Sequence, residues 1–147
     1  MLLYQTMEKL SEMKLSGILD GLREQVDGDG YADLSFEERL GMLVDREYVM
    51  RENRRMTRRF REARLKLSAQ VEDVDFQAAR GLDKGYFMEL AQGGWISRRH
   101  NLVIAGPTGV GKTYLACALA HRACREGYRC LYTHFSDLVR EMSISNA

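Results

Sequence analysis

Residues 101–113 read Asn101-Leu102-Val103-Ile104-Ala105-Gly106-Pro107-Thr108-Gly109-Val110-Gly111-Lys112-Thr113. The last eight satisfy G-x-x-x-x-G-K-[ST], the pattern of a phosphate-binding loop. The five before them are mostly apolar β-formers, and the stretch from Tyr114 to Ala123 is rich in helix-forming Ala and Leu. Strand, glycine loop, helix is the order that such a site requires. Gly109 and Gly111 let the backbone aim successive N–H groups at phosphate oxygens. A helix starting near Gly111 adds the positive end of its dipole. Lys112 then places a charge between the β- and γ-phosphates, and Thr113 offers a hydroxyl to Mg2+. The expected ligand is a purine nucleoside triphosphate with Mg2+. The expected binding residues are Gly106, Pro107, Thr108, Gly109, Val110, Gly111, Lys112, Thr113 and Tyr114, with Lys112 as the catalytic residue. The competing reading is a glycine-rich turn that happens to carry a surface lysine.

Working outward, the chain of 147 residues has a net charge of only +1, but the charge is unevenly placed. Residues 1–50 hold five Lys/Arg against eleven Asp/Glu, whereas residues 51–66 hold eight Lys/Arg against Glu52 and Glu62. Leu3, Met7 and Leu10, then Leu15, Ile18, Leu19, Leu22 and Val26, give helical spacing over residues 1–26, closed by Asp27-Gly28-Asp29-Gly30,. Ser35 and Glu38 form a capping-box pattern, and from there to about Ser68 no Pro, and no Gly after Gly41, interrupts a long helix. Its apolar stripe changes sides near residues 46–52. Either the helix bends or breaks near Tyr48, or its second half meets a different surface from its first. On the helical wheel, Arg51, Arg54, Arg55, Arg58, Arg59, Arg61 and Lys66 lie opposite Met56 and Phe60,. A row of guanidinium groups suits a phosphate backbone, through counterion release and bidentate contacts. These seven are the candidate DNA-binding residues, against the plainer reading of a solvated charged face.

Downstream, Glu72-Asp73-Val74-Asp75-Phe76 is a connector, and residues 83–92 a short helix capped by Asp83 and stopped by Gly93-Gly94. After the loop helix, Gly127 ends the turn, Cys130-Leu131-Tyr132-Thr133 is a second strand, and Ser136 begins another helix. Cys117, Cys124 and Cys130 fit neither a disulfide framework nor a zinc spacing and read as buried free thiols,. His100, His121 and His134 have no metal-ligand spacing, and Trp95 reads as a core residue. With no signal peptide and no apolar run of membrane-spanning length, a cytoplasmic protein without a membrane partner is expected. The fold class expected is α/β: a helical domain over 1–70, a connector with a short helix over 71–100, and the start of a P-loop αβα core over 101–147.

Three stretches together resemble the IstB family of insertion-sequence ATP-binding proteins: Met13–Gln25, Leu34–Leu67 and Asn101–Arg125. The phosphate loop is shared very widely; Asp45-Arg46-Glu47 and the arginine-rich helix ahead of Gly106–His121 are more specific. The DnaC helicase loaders are similar in the ATPase core, but the acidic-then-basic front end is closer to IstB-like proteins. The resemblance implies an AAA+ ATPase using ATP and Mg2+, a homo-oligomer that assembles on duplex DNA and stimulates a partner transposase. It also implies an acidic Walker B strand, a sensor strand and an arginine finger, none of which is found before Ala147. In the AAA+ sheet order 5-1-4-3-2 the strand ending at Ala105 would lack both neighbours. The expectation is therefore a truncated product in which phosphate binding survives and hydrolysis does not. Helicase loading differs from this reading in partner rather than chemistry. A small-molecule phosphotransferase would leave the arginine row without a role, and a non-catalytic DNA-binding fragment would leave the loop as a remnant.

Overall fold

The computed structural model describes residues 2–146. Its helices are α1 (Leu2–Glu12), α2 (Ser16–Asp27), α3 (Phe36–Ala63), α4 (Lys84–Ala91), α5 (Gly94–Ser97), α6 (Lys112–Arg125) and α7 (Phe135–Ser145). Two 3-10 turns lie at Asp29–Tyr31 and Val71–Asp73. The chain divides into two units, Met1–Arg55 and Met56–Ala147, and α3 runs through the boundary.

In the first unit, the helical spacing over residues 1–26 belongs to two helices rather than one. Lys14 takes φ 58°, a left-handed conformation that interrupts the helical path between α1 and α2,. Gly17 and Gly21 are buried on α2 because α3 approaches there with no room for a side chain. A Cβ on Gly17 would lie 2.6 Å from the Glu47 Cα, and one on Gly21 2.7 Å from Leu43 Cδ2. At this crossing Glu47 is buried, and its Oε2 accepts the N–H groups of Gly17 at 2.7 Å and Ile18 at 3.3 Å. The first turn of α2, whose own N-cap Leu15 supplies no side-chain acceptor, is thus capped from another helix,. Arg51 Nε donates to the other oxygen of Glu47 at 2.7 Å. The Arg51 hydrogen bond, aided by the two backbone donors, holds the Glu47 carboxyl below the usual carboxylate range. One residue earlier, Arg46 makes a bidentate pair with Glu24 at 2.6 and 2.9 Å.

The capping box at the start of α3 forms: Ser35 N donates to Glu38 Oε2 at 2.7 Å and Glu38 N to Ser35 Oγ at 3.2 Å. The apolar stripe changes sides without breaking the helix. Leu43 and Glu47 are buried within the first unit, and Ala63 is buried within the second. The helix ends at Ala63, short of the expected Ser68, because Arg64 turns left-handed at φ 50°.

The second unit is built on α6. Cys117, Ala118, Leu115 and Leu119 of this helix form a core with Val71, Val74, Phe87 and Ala91. Cys117 and Cys124 are free and buried, as expected, whereas Cys130 is free but only half-buried. The expected αβα core is not seen: among the described residues there is no strand, either at 101–105 or at 130–133. Leu102 and Ile104 do pack on the core while Val103 is 84% exposed, which is the period-two burial of a strand,. A strand also needs a neighbour to exchange backbone hydrogen bonds with. In the 130–133 segment, Tyr132 N instead donates to the Ala63 carbonyl at 2.8 Å, at the end of α3. On α7, Phe135, Val139, Met142 and Ile144 are exposed.

Glu47 makes the first unit acid-sensitive in a predictable direction. Its lowered folded value means that its contribution is complete above the ordinary value near 4.5 and is lost as pH falls through the lower one,. Glu47→Gln is expected to destabilise the chain at neutral pH by about 1–3 kcal/mol, the scale of hydrogen bonds to a charged group. Urea titrations of helical ellipticity at pH 7 and pH 3 check this. The gap between wild type and variant should narrow at pH 3, and a gap independent of pH would remove the ionised carboxylate from the account.

Candidate functional site

The loop expected to bind phosphate turns on two glycines. Gly109 and Gly111 sit at φ 88° and 96°, conformations that a side chain strains,. Gly111 is the N-cap of α6, and its carbonyl accepts the Leu115 N–H at 3.0 Å as the first helical bond. No side chain caps this end of the helix. The first-turn N–H groups of α6 have no partner further back in the helix, and the helix dipole makes that end positive.

Lys112 folds back over the loop, its Nζ donating to the carbonyls of Gly106 at 2.8 Å and Pro107 at 2.7 Å. The ammonium therefore lies within the loop, where it can exchange carbonyl acceptors for phosphate oxygens. Thr113 follows in the first turn of α6, the position from which its hydroxyl would help hold Mg2+ together with the phosphates,. Tyr114, also expected to bind nucleotide, is half-buried and packs against the hydrophobic core. Thr108 is exposed and Val110 half-buried. Among the described residues, no group of three or more His, Cys, Asp and Glu side chains converges to hold a metal.

The other end of α6 is closed. Gly127, at φ 99°, lets Tyr128 N donate to the Ala123 carbonyl at 3.0 Å and Gly127 N to that of Cys124 at 3.2 Å, a Schellman arrangement,. Arg59 adds a cation at this negative end, its Nε donating to the Cys124 carbonyl at 2.9 Å,. Beside it the Phe60 ring stacks on His121, with centroids 4.7 Å apart. Burial, aided by the Arg125 charge, pushes His121 below its usual value.

The basic residues do not form one free row. Arg51 pairs with Glu47, Arg54 donates to Ser16 Oγ at 2.6 Å, and Arg55 pairs with Glu52 at 2.6 Å. Arg58 pairs with Glu62 at 2.7 Å, and Arg59 is committed to α6. Arg61 is exposed on the helix, whereas Lys66 lies beyond the helix end and so off the wheel on which it was placed. The pairs of Arg55 and Arg58 leave these side chains 64% and 68% exposed, and such pairs contribute little,. Arg59 instead reinforces the end of α6, on a Cys124 carbonyl that Gly127 N also reaches.

The IstB-like ATP binding protein family matches residues 8–147. The chain belongs to that family. A Pseudomonas fluorescens protein, named for ATP binding in insertion sequence IS1162, is 44% identical over 99% of this chain and 64% of its own length. A Sinorhizobium fredii protein, named in the same way as an insertion-sequence ATP-binding protein, is 41% identical over 99% of this chain and 59% of its own. The IS21 relative from Pseudomonas aeruginosa is 32% identical over 88% of this chain and 49% of its own. The chain thus spans about half to two-thirds of the length of these relatives.

Sequence reasoning missed the buried Glu47 and the structural employment of Arg59. Glu47 lies inside the specific Asp45-Arg46-Glu47 run, but the backbone N–H groups that it caps come from α2, about thirty residues away in the chain. The two kinds of arginine on α3 separate by stability. Arg59→Gln should cost about 1–2 kcal/mol through the lost charged bond to a helix terminus. Arg61→Gln should stay within about 0.5 kcal/mol of wild type, as an exposed substitution does. Denaturant melts of the two variants make the comparison, and equal midpoints would mean that Arg59 does not hold α6.

Proposed function

We propose that this chain binds ATP with Mg2+ through Gly106–Thr113 and acts in DNA transposition as an IstB-like helper. In this reading it works in the cytoplasm, assembles as a homo-oligomer on duplex DNA and stimulates a partner transposase. The single observation that carries the nucleotide assignment is the start of α6, with its positive-φ glycines and Lys112 folded over the loop carbonyls. Lys112 binds and orients the phosphates, and the N–H groups of the helix start donate to their oxygens. The Thr113 hydroxyl would help to hold Mg2+, which when bound would supply further neutralisation of the phosphate charge. The family match and the relatives' names favour transposition over helicase loading. No helix among the described residues is long and apolar enough to cross a membrane.

Lys112→Ala should abolish measurable Mg-ATP binding, read by calorimetry, while circular dichroism stays as in wild type. Retained affinity would sink the loop assignment. For DNA, the replaceable residues are those with solvent-exposed partners or none: Arg55, Arg58, Arg61 and Lys66. Changing the four to Gln should weaken duplex binding at every sequence. The slope of log affinity against log salt should flatten by about 0.9 for each phosphate that is no longer neutralised. An unchanged slope would return this face to ordinary solvation. The test of the whole reading is duplex binding by the wild-type chain with and without Mg-ATP, at low and moderate salt. Binding strengthened by ATP is expected, and absence of DNA binding in both conditions would overturn it.

A further inference from the structure

Residues 75–83 link the Val71–Asp73 turn to α4 and are pinned at both ends. Phe76 lies against Phe87 with ring centroids 5.8 Å apart, Leu82 packs on the core, and Asp83 Oδ1 caps α4 by accepting the Tyr86 N–H at 2.7 Å. Between them the segment folds on itself. Gln77 N donates to Asp75 Oδ1 at 2.8 Å, Arg80 N to the Ala78 carbonyl at 2.8 Å, and Gly81 turns left-handed at φ 68°.

From this strap the Arg80 side chain reaches the phosphate loop. Its Nη1 donates to the Val110 carbonyl at 3.3 Å, and its Nη2 to the Asp75 carbonyl. A Cβ on Gly111 would lie only 2.8 Å from Nη1. The guanidinium therefore lies directly against the loop at Gly111, whose positive φ is what constrains that position. The Arg80 Nε is buried without a hydrogen-bond partner. A guanidinium has five donors, and neutral carbonyls are the acceptors given to this one.

The charge is as telling as the hydrogen bonding. Lys112 also rests on carbonyls alone. Among the described residues, the ion pairs of this unit join Glu62, Glu72, Glu126 and Asp137 to other arginines. Two uncompensated cations thus sit at the positive end of α6, an arrangement that costs free energy until an anion is present. Two cations and a fan of N–H groups suit a polyphosphate better than a single carboxylate.

We propose that Arg80 is a second cationic phosphate-binding residue of this site, donating to the phosphates of the nucleotide alongside Lys112. The proposal rests on the ATP-binding reading above and adds a residue that lies well outside the loop motif. On binding, the guanidinium gives its free donors to phosphate oxygen and draws the 75–83 strap to the ligand.

The experiment titrates the full chain with N-methylanthraniloyl-ATP and Mg2+, by fluorescence, in wild type, Arg80→Gln, Arg80→Lys and Lys112→Ala. Each titration is repeated in competition with inorganic tripolyphosphate, and circular dichroism monitors folding. Arg80→Gln should weaken both the nucleotide and tripolyphosphate by about tenfold, the scale of one charged hydrogen bond. Arg80→Lys should recover part of that loss, since it keeps the charge but not the planar fork. Wild-type affinity in Arg80→Gln, with Lys112→Ala inactive, overturns the role of Arg80 and leaves the loop assignment standing. Tighter binding in Arg80→Gln overturns it too, because Arg80 would then compete with the ligand. Loss of nucleotide affinity with tripolyphosphate unaffected moves Arg80 to the base or sugar and also overturns it. No binding by the wild type is a different failure, that of the ATP reading itself. Should Arg80→Gln lose helicity, Arg80→Lys decides: weakened tripolyphosphate binding supports the fork, and unchanged binding overturns it.

Discussion

The unpaired N–H groups at the start of α6 are the constraint around which the second unit is organised. A helix leaves its first four N–H groups without intrahelical acceptors, and here no side chain caps them,. They stay available only if the rest of the helix is held firmly enough to make up for it. The small residues Cys117 and Ala118 have no exposure at all, which lets Val71, Val74 and Phe87 close on that face. At the C-terminal end, Gly127 and Arg59 satisfy carbonyls that would otherwise be orphaned. One end is fastened so that the other can be left open.

The arginines of α3 divide by what they lose when they move. Arg51 holds a buried carboxylate, and moving it leaves a Glu47 oxygen without its donor, whereas Arg59 reinforces a helix terminus that Gly127 also closes,. Arg55 and Arg58 pair with partly exposed glutamates, in pairs that water screens,. The same residue type at helical spacing is therefore held in two ways, one by buried partners and one at the solvent surface. Counting positive charge cannot tell them apart.

How much of this was legible in the sequence depends on whether the partners are close in the chain. The positive φ of Gly109 and Gly111 follows from the motif, and the Ser35–Glu38 box from a spacing of three. The Arg58–Glu62 pair follows equally from the i, i+4 rule,. Leu102, Val103 and Ile104 are an apolar run of β-formers and show a strand's alternating burial, but composition says nothing of whether a neighbouring strand is present to pair with. The end of α3 was misplaced because Arg64 is an ordinary helix former whose left-handed turn is imposed by tertiary context,. Arg59 to Cys124, Glu47 to Gly17 and Arg80 to Val110 are contacts between distant parts of the chain, and no local pattern announces them.

Those distant contacts also define what a link between nucleotide and DNA would require. Lys112 and Thr113 begin α6, and Cys124, near its other end, accepts from Arg59 while His121 stacks on Phe60. Arg59 and Phe60 are flanked on the same helix by Arg58 and Arg61. A ligand can shift DNA affinity only through a difference in its own affinity for two arrangements of the protein. For ATP to strengthen DNA binding within this unit, its phosphates must prefer one position of α6 against the end of α3. The Arg59 bond and the Phe60–His121 stack are where that preference would reach the basic side chains. If α6 keeps one position with and without nucleotide, the loop and the basic residues share a scaffold and nothing more, and ATP would act on DNA binding through contacts between copies of the chain instead.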